Sequence, residues 1–230
     1  MRDFLQALNL QFASLQFSAA WVYNPWDYAQ EAYLEYWGRY GQGNKKIMLL
    51  GMNPGPWGMA QTGIPFGEVA VVRDWLGIQA PIQPPERQHP QRPILGWQCR
   101  RSEVSGRRLW GFLRDHYPRA EDFFRHGYVA NYCPLAFLEE SGRNLTPDKL
   151  PRSERTALLE ICDQSLSFHL QKLQPDCLIG VGKWAEQRAR DLVQRLALPM
   201  TVRGIPHPSP ANPAANRGWG SELAELLPKP

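Results

Sequence analysis

The sequence predicts an α/β protein built on a parallel sheet. Four apolar runs of strand length, at residues 47–50, 127–133, 176–181 and 200–205, are each bounded by turn residues. Stretches with helical periodicity separate them, and strands that alternate with helices pair in parallel through right-handed crossovers. Three of the runs lead straight into polar residues: Asn53 just past the first, Asn131 at the end of the second and His207 just past the fourth. In a parallel sheet such ends gather on one side, where ligands bind.

Residues 3–20 mix Phe and Leu with Gln, Asn and Ser at helical spacing and read as an amphipathic helix. Residues 28–40, rich in aromatics, read as a second. Both precede the first strand and are expected to pack on the sheet. Lys45-Lys46 leads into Ile47-Met48-Leu49-Leu50, uniformly apolar as a fully buried strand requires. The segment GMNPGPWGMAQTGIPFGEV, residues 51–69, follows as a rigid, bare loop. Its glycines allow close approach of backbone to a planar group, and Pro54, Pro56 and Pro65 lower the entropy of holding that shape. PIQPPERQHPQRP, residues 81–93, holds five prolines and reads as a surface connection, too short and too central to divide two domains. Helical periodicity resumes over residues 105–116 with Ser105 as the expected cap. GYVANYC (127–133) is a strand stopped by Pro134. A long helix over 152–173, a strand over 176–181, a helix over 183–196 and a strand over 200–205 complete the alternation, and the C-terminal helix is expected over 212–227.

Composition sets the class. With 230 residues, 43% hydrophobic and 21% charged, the chain reads as one globular domain, 1–230, able to bury about 70% of its unfolded surface. A net charge of +4 permits a polyanionic partner without demanding one. Cys99, Cys133, Cys162 and Cys177 form no CxxC pair, zinc-finger spacing or ferredoxin spacing, and read as reduced core thiols. Residues 1–20 lack the continuous apolar core of a signal peptide, and no run reaches bilayer length. A soluble, intracellular protein with no membrane partner is expected.

A second distinctive segment is HPSPANPAANRGW, residues 207–219. Pro208 and Pro210 stiffen it, and Asn212-Pro213 has the form of a helix cap with proline at the first helical position. A helix N-terminus there would offer amides and a positive dipole to an anion such as phosphate, with Arg217 adding charge.

These two segments, together with NYCPL, EVSG, SGRNLTP and VGKWAEQRAR, resemble the single-strand-selective monofunctional uracil-DNA glycosylases of the uracil-DNA glycosylase superfamily over nearly the whole chain, with a bacterial member favoured. The resemblance implies a three-layer fold with a doubly wound sheet of four parallel strands flanked by helices, and hydrolysis of the bond joining a damaged base to deoxyribose without cofactor or metal. The base must leave the stack, which costs least in single strands or mismatches. The partners implied are single-stranded and duplex DNA, acted on by a monomer, in the cytoplasm of a bacterium or the nucleus of a eukaryote. By the same resemblance Asn53 orients the attacking water, His207 donates to O2 of the leaving base, and Asn131 reads its O4 and N3–H edge. Phe66 stacks on the base, while Gly55 leaves space beside C5 for substituents such as 5-hydroxymethyl, in a pocket lined by Met52 and Met59. Ser209, Pro210, Asn212, Arg217 and Lys183 are expected on DNA. Ala211 stands where the family often has Arg, which predicts weaker activity on paired DNA. The pocket motifs hold no lysine, so no Schiff base is expected.

Other readings remain open at this stage. Gly180-Val181-Gly182 between a strand and a helix suggests a nucleotide-binding module, although the third glycine and the ribose-binding acid of a dinucleotide fingerprint are not in place. A glycosylase preferring deaminated purines such as xanthine or hypoxanthine, and a non-catalytic DNA damage binder, share the expected fold.

Overall fold

The computed structural model describes residues 1–228. In chain order its elements are helix α1 (Arg2–Ala13), strand β1 (Trp21–Tyr23), helices α2 (Pro25–Tyr28) and α3 (Gln30–Tyr40), β2 (Ile47–Gly51), α4 (Met59–Thr62), α5 (Val69–Asp74), α6 (Val104–His116), α7 (Ala120–Phe124), β3 (Gly127–Asn131), β4 (Ala136–Leu138), β5 (Asn144–Leu145), α8 (Arg152–Leu173), β6 (Cys177–Val181), α9 (Lys183–Arg195), β7 (Thr201–Ile205), α10 (Pro213–Asn216) and α11 (Ser221–Ala224).

The four expected strands form one parallel sheet in the order β3-β2-β6-β7. Leu49 lies between Val129 and Ile179, and Gly51 pairs in register with Asn131. All residues of β2 and β3 are buried, so both faces of the sheet's centre are covered, as a parallel sheet flanked by helices demands. The chain steps from β2 outward to β3, then crosses back to β6 on the other side of β2. Strand order therefore reverses between β2 and β6, and a crevice opens at their carboxyl ends. A small antiparallel sheet, β1-β4-β5, which the sequence did not suggest, lies apart from it; its strands are two or three residues long, too short for an alternation to register.

Several boundaries differ from expectation for identifiable reasons. α1 stops at Ala13, and the following segment is held by other elements: the Ser18 amide donates to Glu154 of α8 at 3.1 Å, and Phe17 packs edge-on to Phe137. The aromatic helix begins after a break at Ala29, with a separate turn capped by the Asn24 side chain onto the Trp26 amide. β3 ends at Asn131, although the amides of Tyr132 and Cys133 still bond to Gly51 O and Met52 O, both at 2.9 Å. α6 starts with Glu103, not Ser105, at its cap position, and that side chain makes no capping bond. The C-terminal helix is two four-residue pieces. Gly218 and Gly220 adopt φ of 140° and 116°, which no continuing helix allows, and the break lets Trp219 pack edge-on to Phe112.

The core includes a polar contact with a consequence for stability. His169 of α8 is buried among Trp26, Trp37, Tyr128 and Phe168. Its Nδ1 lies 2.7 Å from Ser165 O and its Nε2 2.7 Å from the Tyr33 hydroxyl, so the neutral ring donates through Nδ1 and accepts from Tyr33. Burial lowers its pKa from the ordinary 6.5 to about 4. The unfolded chain takes up this proton near 6.5 and the folded chain only near 4, so the contribution is complete above pH 6.5. It is lost as pH falls towards 4, by about 3 kcal/mol. Thermal midpoints measured from pH 7 to 4 are expected to fall through that window, and His169→Gln to flatten this part of the curve.

Candidate active site

The carboxyl ends of β2, β3, β6 and β7 surround a cavity of about 590 Å³, lined among others by Met52, Asn53, Gly55, Phe66, Glu103, Asn131, Lys183, His207, Ser209 and Pro210. Asn53, Asn131 and His207, spread over more than 150 residues of sequence, thus meet in one crevice.

Asn131 is only 7% exposed. Its Nδ2 donates to Met59 Sδ at 3.1 Å while Oδ1 has no partner. A buried amide oxygen without a partner is costly unless a ligand supplies a donor. Phe66 lies beside it at φ 54°, left-handed for a residue with a Cβ. The scaffold holds that conformation: Trp110 Nε1 donates to Pro65 O at 3.1 Å and the Glu68 amide to Phe66 O at 2.8 Å. Gly51 makes room for both groups, since a Cβ there would overlap Asn131 Oδ1 and come within 2.5 Å of the Phe66 ring. Met52 lines the cavity; Met59 is fully buried behind Asn131 and is not among the lining residues, so it orients the amide rather than forming the wall.

His207 follows β7 and is fixed from several directions. Its Nδ1 accepts from the Ser209 amide at 3.1 Å, and its carbonyl accepts from Asn212 Nδ2 at 2.9 Å. The flanking carbonyls are also held, Pro206 O by Trp219 Nε1 at 2.7 Å and Pro208 O by Arg108 at 3.1 Å. Burial lowers the imidazole's pKa, favouring the neutral ring. With Nδ1 accepting, the proton of the neutral form sits on Nε2. Phe66 and His207 have ring centroids 6.2 Å apart. Asn53 Nδ2 reaches Leu135 O at 3.5 Å, which leaves its Oδ1 as the acceptor for other groups.

Gly55 lines the cavity, and an added Cβ there would overlap the carboxyl of Glu103, while one at Gly58 would lie 2.7 Å from the same Oε2. One expectation changes. The helix after Asn212 has only four residues, too few for a substantial macrodipole. The 207–216 loop is held to α6 by Arg108, which also bonds Asn216 Oδ1 at 2.8 Å. Arg217 is exposed outside the cavity lining, whereas Lys183, also exposed, is on its rim.

Gln61, Glu103 and Arg108 lie in stretches the sequence analysis singled out (51–69, EVSG and the helix over 105–116) but were given no role of their own, because nothing local shows what each side chain meets. Burial raises the Glu103 carboxyl to about 7 against the pull of the Trp57 and Gly58 amides. Gln61 is fully buried and fully used: Nε2 donates to Pro56 O and Pro93 O at 2.9 and 3.0 Å, and Oε1 accepts from the Leu95 and Gly96 amides at 2.8 and 3.2 Å. It ties the loop after β2 to the proline-rich segment. Gln61→Leu strips partners from four backbone groups, each costing about 1–3 kcal/mol if left buried and unpaired. Urea unfolding is expected to show a loss of at least about 3 kcal/mol.

Among the described residues no helix is long and apolar enough to cross a membrane. A family model described as the uracil DNA glycosylase superfamily matches residues 38–225. The chain is 51% identical over 222 residues to the single-strand selective monofunctional uracil DNA glycosylase of Bos taurus, covering 96% of this chain and 82% of that protein. The protein of the same name from Mus musculus is also 51% identical, with 96% and 80% covered. The fold is similar to the crystal structure of WT Pedobacter heparinus SMUG2, with TM-score 0.61 and 16% identity over 89% of this chain and 87% of that one. A family model matched over most of the chain and relatives half identical across nearly all of it place it: the chain belongs to the uracil-DNA glycosylase superfamily and, within it, to the single-strand selective monofunctional uracil-DNA glycosylases.

Proposed function

We propose that residues 1–230 act as one domain that hydrolyses the N-glycosidic bond of uracil, and of 5-substituted uracils, in DNA, leaving an abasic site. The observation that carries this reading is the pairing, in one cavity, of a half-used buried amide with an imidazole whose Nδ1 is already engaged. Asn131 offers an acceptor through Oδ1 and a second amide hydrogen through Nδ2, the complement of N3–H and O4 of uracil and the opposite of what N3 and N4–H of cytosine require. Phe66 supplies a stacking face worth about 1–3 kcal/mol.

In the reaction the C1′–N1 bond breaks and its electron pair passes to the base, placing negative charge on O2. His207 Nε2–H donates where that charge develops, and because the ring is neutral it stabilises the anion without giving up its proton. Asn53 accepts a hydrogen from the water that attacks C1′. An amide is no base near neutral pH, so it orients the water while departure of the base leads. Water supplies hydroxyl to C1′ and a proton to the released base.

Lys183 on the rim and the exposed Pro210 suit contacts to the DNA backbone, with Ser209, Asn212 and Arg217 on the neighbouring loop. Among the described residues Lys183 is also the one lysine lining the cavity. Its solvent-exposed place favours phosphate over C1′, so borohydride is expected to trap no covalent complex; a trapped adduct at Lys183 overturns the monofunctional mechanism. Release of free base from a single-stranded oligonucleotide carrying one uracil tests the activity itself. Similar rates on duplex substrate would show that Ala211 does not weaken action on paired DNA.

A further inference from the structure

We propose that Arg101 and Arg92, held by the ring of Trp57, grip a backbone phosphate of the target strand beside the cavity that takes the base. The inference rests on the function proposed above, and it places a strand contact on a different element of the rim from Lys183 and the loop after β7. Trp57 follows β2, is half-buried and lines the cavity together with Ser102. The guanidinium carbon of Arg101 lies 4.6 Å from the Trp57 ring centroid and that of Arg92 5.3 Å, both within reach of cation–π attraction.

Three observations point to a phosphate. The first is the absence of counter-charge. Arg101 is exposed and among the described residues its side chain makes no hydrogen bond or ion pair, while Arg92 meets no carboxylate and donates through Nη1 to Gln91 O at 2.9 Å. Exposed arginines elsewhere are neutralised: Arg2, Arg39, Arg73, Arg119 and Arg143 each pair with a carboxylate. Glu103, the acid on this wall, is buried and bonded by the Trp57 and Gly58 amides, and it pairs with neither guanidinium. The second is the mode of attachment. An arginine held over a ring through its charge keeps its N–H edge for other partners, and that fork fits two oxygens of one phosphate. The third is continuity: Arg107 Nη1 donates to Ser102 Oγ at 3.1 Å, so the basic edge runs on from Trp57 to α6. A nucleotide whose base enters the cavity leaves its sugar and phosphate outside, and contacts to phosphate set the register of the strand.

The test measures binding of single-stranded oligonucleotides that carry one 2′-fluoroarabino uracil nucleotide, in which the fluorine resists loss of the base by opposing positive charge at C1′. One linkage at a time, on either side of the uracil, is made a neutral methylphosphonate. In the unsubstituted protein one such linkage is expected to weaken binding about tenfold, the usual worth of a hydrogen bond between charged groups. In Arg101→Gln the same linkage is expected to cost about twofold or less, and the log–log slope of affinity against salt to become shallower by about 0.7, one phosphate contact on a single strand. Trp57→Leu is expected to lose most of the linkage effect and Trp57→Phe, which keeps a ring face, to retain most of it. If every linkage behaves alike in the unsubstituted protein, or if the same linkage costs as much in Arg101→Gln, these guanidiniums grip no defined phosphate of the strand and the proposal is overturned. A full linkage effect in Trp57→Leu overturns the part given to the ring; should that variant fail to fold, Arg101→Gln, changed at an exposed position, decides. Absence of uracil release from an unfluorinated oligonucleotide would defeat the glycosylase reading itself, while the linkage comparison, read by binding, would still decide the phosphate contact.

Discussion

His207→Ala is expected to lower the single-turnover rate of uracil release about 10² to 10³-fold, the usual cost of removing one preorganised donor from a site of developing charge. The loss should appear in the chemical step rather than in DNA affinity, because the donor acts most strongly after charge has built up on O2. Folding is expected to be nearly intact: the Pro206, His207 and Pro208 carbonyls are held by Trp219, Asn212 and Arg108, contacts that alanine retains. Burial keeps the imidazole's pKa below its ordinary value, so the rate should hold as pH falls past 6.5 and drop only at more acidic pH. Rate and affinity measured on the same uracil oligonucleotide check this. An unimpaired His207→Ala variant would favour a damage-binding protein over an enzyme.

Gly51→Ala is expected to abolish most activity through a residue that makes no contact with substrate. The added methyl would overlap Asn131 Oδ1 and crowd the Phe66 ring, so the two groups proposed to read and stack the base must move together. Losing the stacking contribution and one buried hydrogen bond amounts to about 3 kcal/mol, or about 10²-fold in kcat/KM. Overpacking adds about 1–3 kcal/mol of destabilisation. The comparison that isolates the effect is Gly111→Ala, on α6, where an added Cβ meets nothing within 4 Å; its activity and melting point should stay close to those of the parent.

The sheet was legible because each central strand is a continuous apolar run, and Asn53, Asn131 and His207 because each stands where such a run stops. The order of strands then brings them together without further information. Other features depend on contacts that no local pattern encodes. Gln61 looks like any helical glutamine until Pro56, Pro93, Leu95 and Gly96 close around it. Glu103 opens the EVSG stretch, but nothing in that stretch tells of a buried carboxyl; only the missing side chains at Gly55 and Gly58, more than forty residues earlier, give it a place. The proline-rich loop hid α4 and α5, because glycine and proline signals outweighed short helical turns. At the C-terminus the apolar spacing suggested one helix, but Gly218 and Gly220 break it to seat Trp219.

The left-handed backbone at Phe66 has a consequence for how this protein can change. A residue with a Cβ carries about 1 kcal/mol or more at φ 54° whether or not DNA is bound, so the aromatic face is aimed before any base arrives. Glycine would relieve that strain and remove the face, while valine or isoleucine would suffer more because their branched Cβ crowds the backbone. Engineering for heat resistance alone would therefore drift toward glycine at this position and yield a hardier protein with a weaker grip on its base, the opposing demands of durability and performance converging on a single torsion angle.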